Sequence, residues 1–171
     1  MEKKKSLIWT NAIIIALISI IYWVVLYFTK TMSNGALSSV QYFIVIIGLV
    51  IVCIQYSKSL NGNVTFGNLF AFGFKTGAAY TLILLLWTIL AFKFIFPNLT
   101  EELIQQQTAA ALKKGYSQSD IDKGMEFTRK YMMLFATGGV IIVDMILSLI
   151  GSLIGAAVAK KNPQANNPFG Q

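Results

Sequence analysis

The chain contains no histidine, a single cysteine and three prolines, and charged residues make up only 12% of it. Each shortage excludes something. Without histidine, the commonest general base and metal ligand is missing. One cysteine, Cys53, can neither close a disulfide nor build a thiolate metal site within the chain, and it leaves the redox compartment unreadable. No glycine-rich phosphate loop, nucleophile elbow or paired metal spacing is present either. These gaps predict a chain that is not an enzyme and holds no cofactor or metal. The low charge excludes most: a soluble domain carries roughly a quarter charged residues, and half that share cannot cover a water-soluble particle with polar surface.

What the chain has is apolar length. Hydrophobic residues are 56% of the sequence, with a mean hydropathy of +0.64, so lipid is the solvent this surface requires. Spanning a bilayer core takes about 20 apolar residues as a helix, and four runs reach that length, at residues 7–29, 37–56, 69–96 and 133–159. The Lys3–Lys5 start ahead of the first run resembles a signal peptide. The run is too long for one, however, and no small-x-small cleavage site follows it, so a retained helix is expected. Met32-Ser33-Asn34-Gly35 and Asn61-Gly62 read as turns, and Pro97 stops the third span. The tail 162–171, with two prolines and a glycine, is expected to be disordered.

Residues 98–131 form the one sizeable polar stretch between spans. Asn98 with Glu101, and Ser117 with Asp120, have capping-box spacing, and Gly115 sits where a first helix should end. Ile121, Met125, Thr128, Met132 and Phe135 recur at helical spacing, and Glu126→Lys130 is an i,i+4 pair. The stripe is expected to pack on the first hairpin helix through Leu99, Leu103 and Ala110, the alternative being a docking surface for another protein. The predicted fold is all-α: one polytopic membrane domain over residues 1–171, four transmembrane helices, and an extramembrane helical hairpin between helices 3 and 4.

The net charge of +7 sits mostly at the ends of the apolar runs, which suits headgroups and topology and not nucleic acid. An even number of spans puts both termini on one side. Lysine and arginine counts tie at six on each side, but the flanks of the first helix carry three lysines against one. That helix usually dominates, so the termini are expected in the cytoplasm and the hairpin outside.

Three ionisable residues fall inside spans: Lys75, Lys93 and Asp144. Such residues are costly in lipid and are functional candidates by default. Lys75 and Lys93 are 18 residues apart, roughly 27 Å along a helix, so each can snorkel to its own interface. Asp144 is too short to snorkel. Axial rise sets it level with Lys93, which allows an interhelical ion pair; a protonated Asp144 bonded to a neighbouring Ser or Thr is the alternative. Small residues also line up. Asp144, Ser148, Ser152 and Ala156 recur at i+4 beside Gly151-x-x-x-Gly155, and the third span carries Gly73-x-x-x-Gly77. Rows of this kind mark packing seams, within one chain or between copies. Lys93 lies on the face of its helix opposite those glycines, so a Lys93–Asp144 pair and a glycine seam within the chain exclude each other. Trp9, Trp23 and Trp87, with Tyr22, Tyr27, Tyr42, Tyr56 and Tyr80, read as interface anchors or bundle packing.

The lysine-rich start, Asn61-Gly62…Thr65-Phe66-Gly67, Lys114-Gly115-Tyr116-Ser117…Ile121…Met125-Glu126, and a small-residue last span closed by Lys160–Lys161 together resemble an uncharacterised bacterial membrane-protein family, domain of unknown function 4199. The resemblance covers most of the chain. It implies four helices in a bacterial inner membrane, and neither an activity nor a functional residue. The expected function is therefore a non-enzymatic accessory or assembly subunit acting by contact with lipid and with a second copy or another membrane protein. The rival is a small oligomeric transporter or channel with Asp144 lining its path. A membrane enzyme, working with Asp, Glu, Tyr and Lys alone, ranks third.

Overall fold

Turn chemistry cuts the apolar runs into helices. A computed structural model describes residues 2–162, and every regular element among them is helical: α1 (Glu2–Phe28), α2 (Gly35–Ser59), α3 (Phe66–Leu90) continued by a π-helical turn (Ala91–Ile95), α4 (Leu99–Lys113) and α5 (Gln118–Val158). The tail expected to be disordered lies outside the described residues from position 163 onward. Four stretches are long and apolar enough to cross a membrane: Lys4–Phe28, Gly35–Ser59, Phe66–Ile95 and Gln118–Val158. Between α1 and α2 the chain reverses through Lys30 in the left-handed region (φ 56°). Asn34 then caps α2, its side-chain oxygen accepting from the N–H groups of Ala36 and Leu37 at 3.1 and 3.3 Å.

The chain forms two compact units. The first comprises residues up to Leu84 and from Ile142 onward, so it takes in α1, α2, most of α3 and the second part of α5. Its core joins Ala12, Ile15 and Ala16 of α1 to Val45, Leu49 and Val52 of α2 and to Phe72, Ala79 and Tyr80 of α3. A second cluster packs Val64 and Leu69 against Ala156 and Ala159. Tyr56 and Phe72 stack with ring centroids 3.8 Å apart, and the Tyr22 hydroxyl donates to the Leu37 carbonyl at 2.7 Å, tying α1 to α2. Large apolar side chains such as Ile21, Phe43, Leu82 and Ile142 point outward and are exposed, as lipid-facing residues of membrane helices are.

The second unit is Leu85–Ile141. Pro97 has no N–H and forces Phe96 out of helical geometry (φ −127°, ψ 68°). The helix therefore widens before it stops, and the Phe96 N–H reaches back five residues to the Ala91 carbonyl at 2.8 Å. The third span thus ends as a π turn and not as a regular helix through residue 96. After α4 the chain folds back through Gly115 (φ 82°). Tyr116 N–H bonds the Ala111 carbonyl at 3.3 Å and Gly115 N–H that of Leu112 at 3.0 Å, the Schellman pattern that closes a helix with a left-handed glycine. Ser117 and Asp120 cap α5 as their spacing predicts, the Asp120 N–H donating to Ser117 Oγ at 3.2 Å and that hydroxyl to the Asp120 carboxylate at 2.6 Å.

One expectation fails in this unit. Asn98 makes no side-chain cap to α4. Its intended partner, Glu101, instead forms a two-pronged bond with Arg129, at 2.9 Å to Nε and 2.8 Å to Nη2. The helix that follows Gly115 runs on without interruption into the fourth apolar run: α5 is one helix of 41 residues. Of the predicted apolar stripe, Ile121 and Met132 are buried, Met125 and Thr128 half-buried, and Phe135 is exposed. Phe135 instead continues an aromatic row with Phe127 and Tyr131, whose successive centroids are 4.7 and 6.4 Å apart.

Candidate functional site

Inside the first unit, α5 is held where side chains are smallest. A Cβ built on Gly73 would lie 2.6 Å from Cys53 Sγ and 2.9 Å from Ser152 Oγ; one built on Gly77 would overlap Ser148 Oγ and Cβ outright and stand 3.3 Å from the Ser148 Cα. On the adjoining face of α5, Gly151 meets Leu49 and the Ile46 Cα, and Gly155 meets Cys53 and the Val50 Cα at 3.0 Å. The second part of α5 is thus wedged between α2 and α3, backbone close to backbone, which only residues without a Cβ allow. The hydroxyl oxygens of Ser148 and Ser152 are buried with no hydrogen-bond partner. They face the glycine hydrogens that stand in place of Cβ, a geometry that supports weak C–H···O contacts.

One turn before Ser148 stands Asp144, 8% exposed. It belongs to a group of polar side chains to which each helix of this unit contributes one. Tyr80 of α3, 1% exposed, donates its hydroxyl to Ser19 Oγ of α1 at 3.3 Å. The Gln41 side chain of α2 lies alongside the same hydroxyl, and the charge of Asp144 acts on it. Among the described residues the Asp144 carboxylate is given no hydrogen bond and no ion pair. Gln41 Oε1 is likewise buried without a donor. A carboxylate, an amide and two hydroxyls thus share one buried group, to which protonation of Asp144 would add a donor. An ionised carboxylate left in this setting costs several kcal/mol.

Over residues 10–161 the sequence matches a family described as "Protein of unknown function (DUF4199)". The chain belongs to this family. No curated protein and no solved structure matches it. The DUF4199 match takes in the whole seam and all four members of the polar group, and its description assigns none of them a role.

Of the residues singled out in the sequence, the structure brings Gly73 to Ser152 and Gly77 to Ser148, and sets Gly151 and Gly155 against α2. Of the two arrangements weighed, the glycine seam is the one seen within the first unit, with Gly73 and Gly77 against Ser152 and Ser148. Lys93 is exposed on the π turn and Lys75 is exposed on α3, two residues from Gly73 and so off the seam face. Among the described residues no group of three or more Cys, Asp and Glu side chains could hold a metal ion. Sequence reasoning missed Ser19, Gln41 and Cys53 and read Tyr80 only as an interface anchor or as bundle packing, of which the structure gives the second. A signal did exist for two of them. Tyr80 lies three residues past Gly77 on the seam face, and Ala12, Ala16 and Ser19 form a small-residue row on α1, all fully buried.

Proposed function

We propose that this DUF4199 protein is a multi-pass protein of the bacterial inner membrane that acts by contact, as a non-enzymatic accessory or assembly subunit. In this reading both termini lie in the cytoplasm, and α4 with the first turns of α5 forms an extramembrane helical hairpin on the other side. One observation carries the reading: the α3–α5 seam is closed at van der Waals contact by Gly73, Gly77, Ser148 and Ser152, as suits a rigid scaffold more than a conduit. The absence of histidine and the exposed row Phe127, Phe135 and Leu134 point the same way, the first away from catalysis and the second toward an apolar surface that others can cover. Cross-linking in native membranes, with mass-spectrometric identification of neighbours, is expected to return self-links or one reproducible membrane partner. Recovery of neither would end this reading.

The unpartnered Asp144 favours a second reading, a small oligomeric transporter or channel in which this carboxylate carries a proton or cation. Its test is flux in proteoliposomes. Loss of a measurable flux in a folded Asp144→Asn variant would move the conclusion to this reading.

A further inference from the structure

Away from the polar group, the first unit stitches two chain ends together. α2 finishes at Ser59, and the following loop turns through Asn61 and Gly62, both in the left-handed region (φ 52° and 77°). α5 finishes at Val158, and the residues after it cross that loop. The Ser57 hydroxyl donates to the Lys160 carbonyl. The Asn162 N–H donates to the Gly62 carbonyl at 2.9 Å, and Asn162 Nδ2 lies 3.4 Å from Asn63 Oδ1. Between them opens a cleft of about 520 Å³ lined by Ser57, Lys58, Asn61, Gly62, Lys160, Lys161 and Asn162.

The three lysines of this cleft differ in what they do. Lys161 curls back so that its ammonium donates to the carbonyls of Ala156, Ala157 and Ala159 at 2.7, 3.2 and 2.9 Å. It neutralises the carbonyl-rich end of α5. Lys58 and Lys160 are exposed, and among the described residues neither makes an ion pair or a side-chain hydrogen bond. Among the described residues no carboxylate lines the cleft. Lys4 of α1 adds a further positive charge at this end, its ammonium 5.3 Å above the Tyr56 ring beside Ser57. Lys58, Lys160 and Asn61 thus line one hollow with partly apolar walls at the ends of apolar helices, the depth at which lipid phosphates lie.

We infer that this cleft binds the phosphate of an anionic phospholipid headgroup, held between Lys58 and Lys160 with Asn61 donating. A free phosphate offers the same chemistry; lipid is the assigned source because the hollow sits at the rim of the apolar helices. The site is independent of the contact-acting role and of Asp144, so neither stands or falls with it.

The test uses the full chain in nanodiscs of phosphatidylcholine mixed with an equal part of phosphatidylglycerol, with native mass spectrometry of the lipid that stays bound. Wild type is expected to retain phosphatidylglycerol over phosphatidylcholine by about thirtyfold, as two lysines near an anionic headgroup give at about 1 kcal/mol each. Lys58→Gln with Lys160→Gln should abolish the preference, and Lys58→Arg with Lys160→Arg should keep it, which separates lost charge from lost fold. Lys113→Gln with Lys114→Gln, a basic pair on α4, should leave it unchanged. No preference in wild type, a preference that survives the double Gln change, or an equal loss in the α4 pair would each overturn the site. So would displacement of phosphatidylglycerol by millimolar inorganic phosphate, which would reassign the cleft to a soluble anion.

Discussion

Gly77 stands at the tightest point of the α3–α5 seam. A methyl group there would meet Ser148 through its Cβ and Cα, atoms that cannot swing away as a long side-chain tip would. Overpacking of this kind costs about 1–3 kcal/mol. Gly77→Ala is expected to lower stability by that amount in reversible unfolding from mild detergent, and Ser148→Gly in the same chain should restore part of it by vacating the space. Gly138→Ala is the control: nothing lies within 4 Å of that site, so only helix propensity acts, a gain of up to ~1 kcal/mol. Equal losses at both glycines would show that the seam is not where stability resides. The glycine spacing was legible in the sequence because a row of small residues is a property of one helix. Which row meets which was not, because that depends on the rotation of each helix about its axis. For the same reason axial rise, which sets Lys93 and Asp144 level, could not by itself decide whether they pair. Gln41, a single amide in an apolar run, carries no periodic signal at all.

At the scale of elements, the fold-back between α4 and α5 depends on Gly115 and on one exposed pair. Glu101 and Arg129, each fourteen residues from Gly115, meet at matched height. The hydrogen bonds from Arg129 hold the Glu101 carboxyl below its ordinary range, and Glu101 raises the guanidinium in turn. A depressed carboxyl pKa stabilises the pair fully above the ordinary value of about 4.3, and the stabilisation is lost as pH falls through the folded value. Spin labels at Ala109 and Lys123, in a Cys53→Ser background, should therefore give a narrow distance distribution at neutral pH that broadens on acidification. High salt should broaden it too, since the pair is open to water. Arg129→Gln should remove most of the pH response; an unchanged profile in that variant would rule out the pair as its origin. Sequence spacing located the Ser117 cap and the Gly115 stop because both are local. It could not show that the helix begins well before the last span, because charged residues mark where lipid ends and not where a helix ends. α5 runs through that boundary unbroken.

That continuity fixes what the whole molecule can do in a bilayer. At 41 residues, α5 is roughly 60 Å long, twice a hydrocarbon core of about 30 Å. If Lys160 marks one interface, about 20 residues bring the helix to the other, near Gly138–Gly139, and everything before them would stand in water or headgroups. The cluster Lys123, Glu126, Arg129 and Lys130 would fall in this outer part, which suits its charge. Under the proposed four crossings the start of α1 and the end of α5 share one side and Tyr116–Ser119 lie on the other. Single cysteines at Ser119 and at Ser59, in a Cys53→Ser background, test this with a membrane-impermeant maleimide. The three-to-one lysine bias across the first helix predicts that Ser119→Cys labels from outside intact cells and Ser59→Cys only after permeabilisation. The reverse pattern would keep the four crossings and invert the orientation. Labelling of both from one side would deny an odd number of crossings between the two positions, and with it the membrane path of α3. Cysteines stepped along α5 from position 126 to 150 would then locate the interface, and labelling should cease within about one helical turn of Gly138–Gly139. If labelling instead stopped before Lys130, its charged side chains would lie within lipid without partners, a cost that four closely spaced ionisable groups could not sustain.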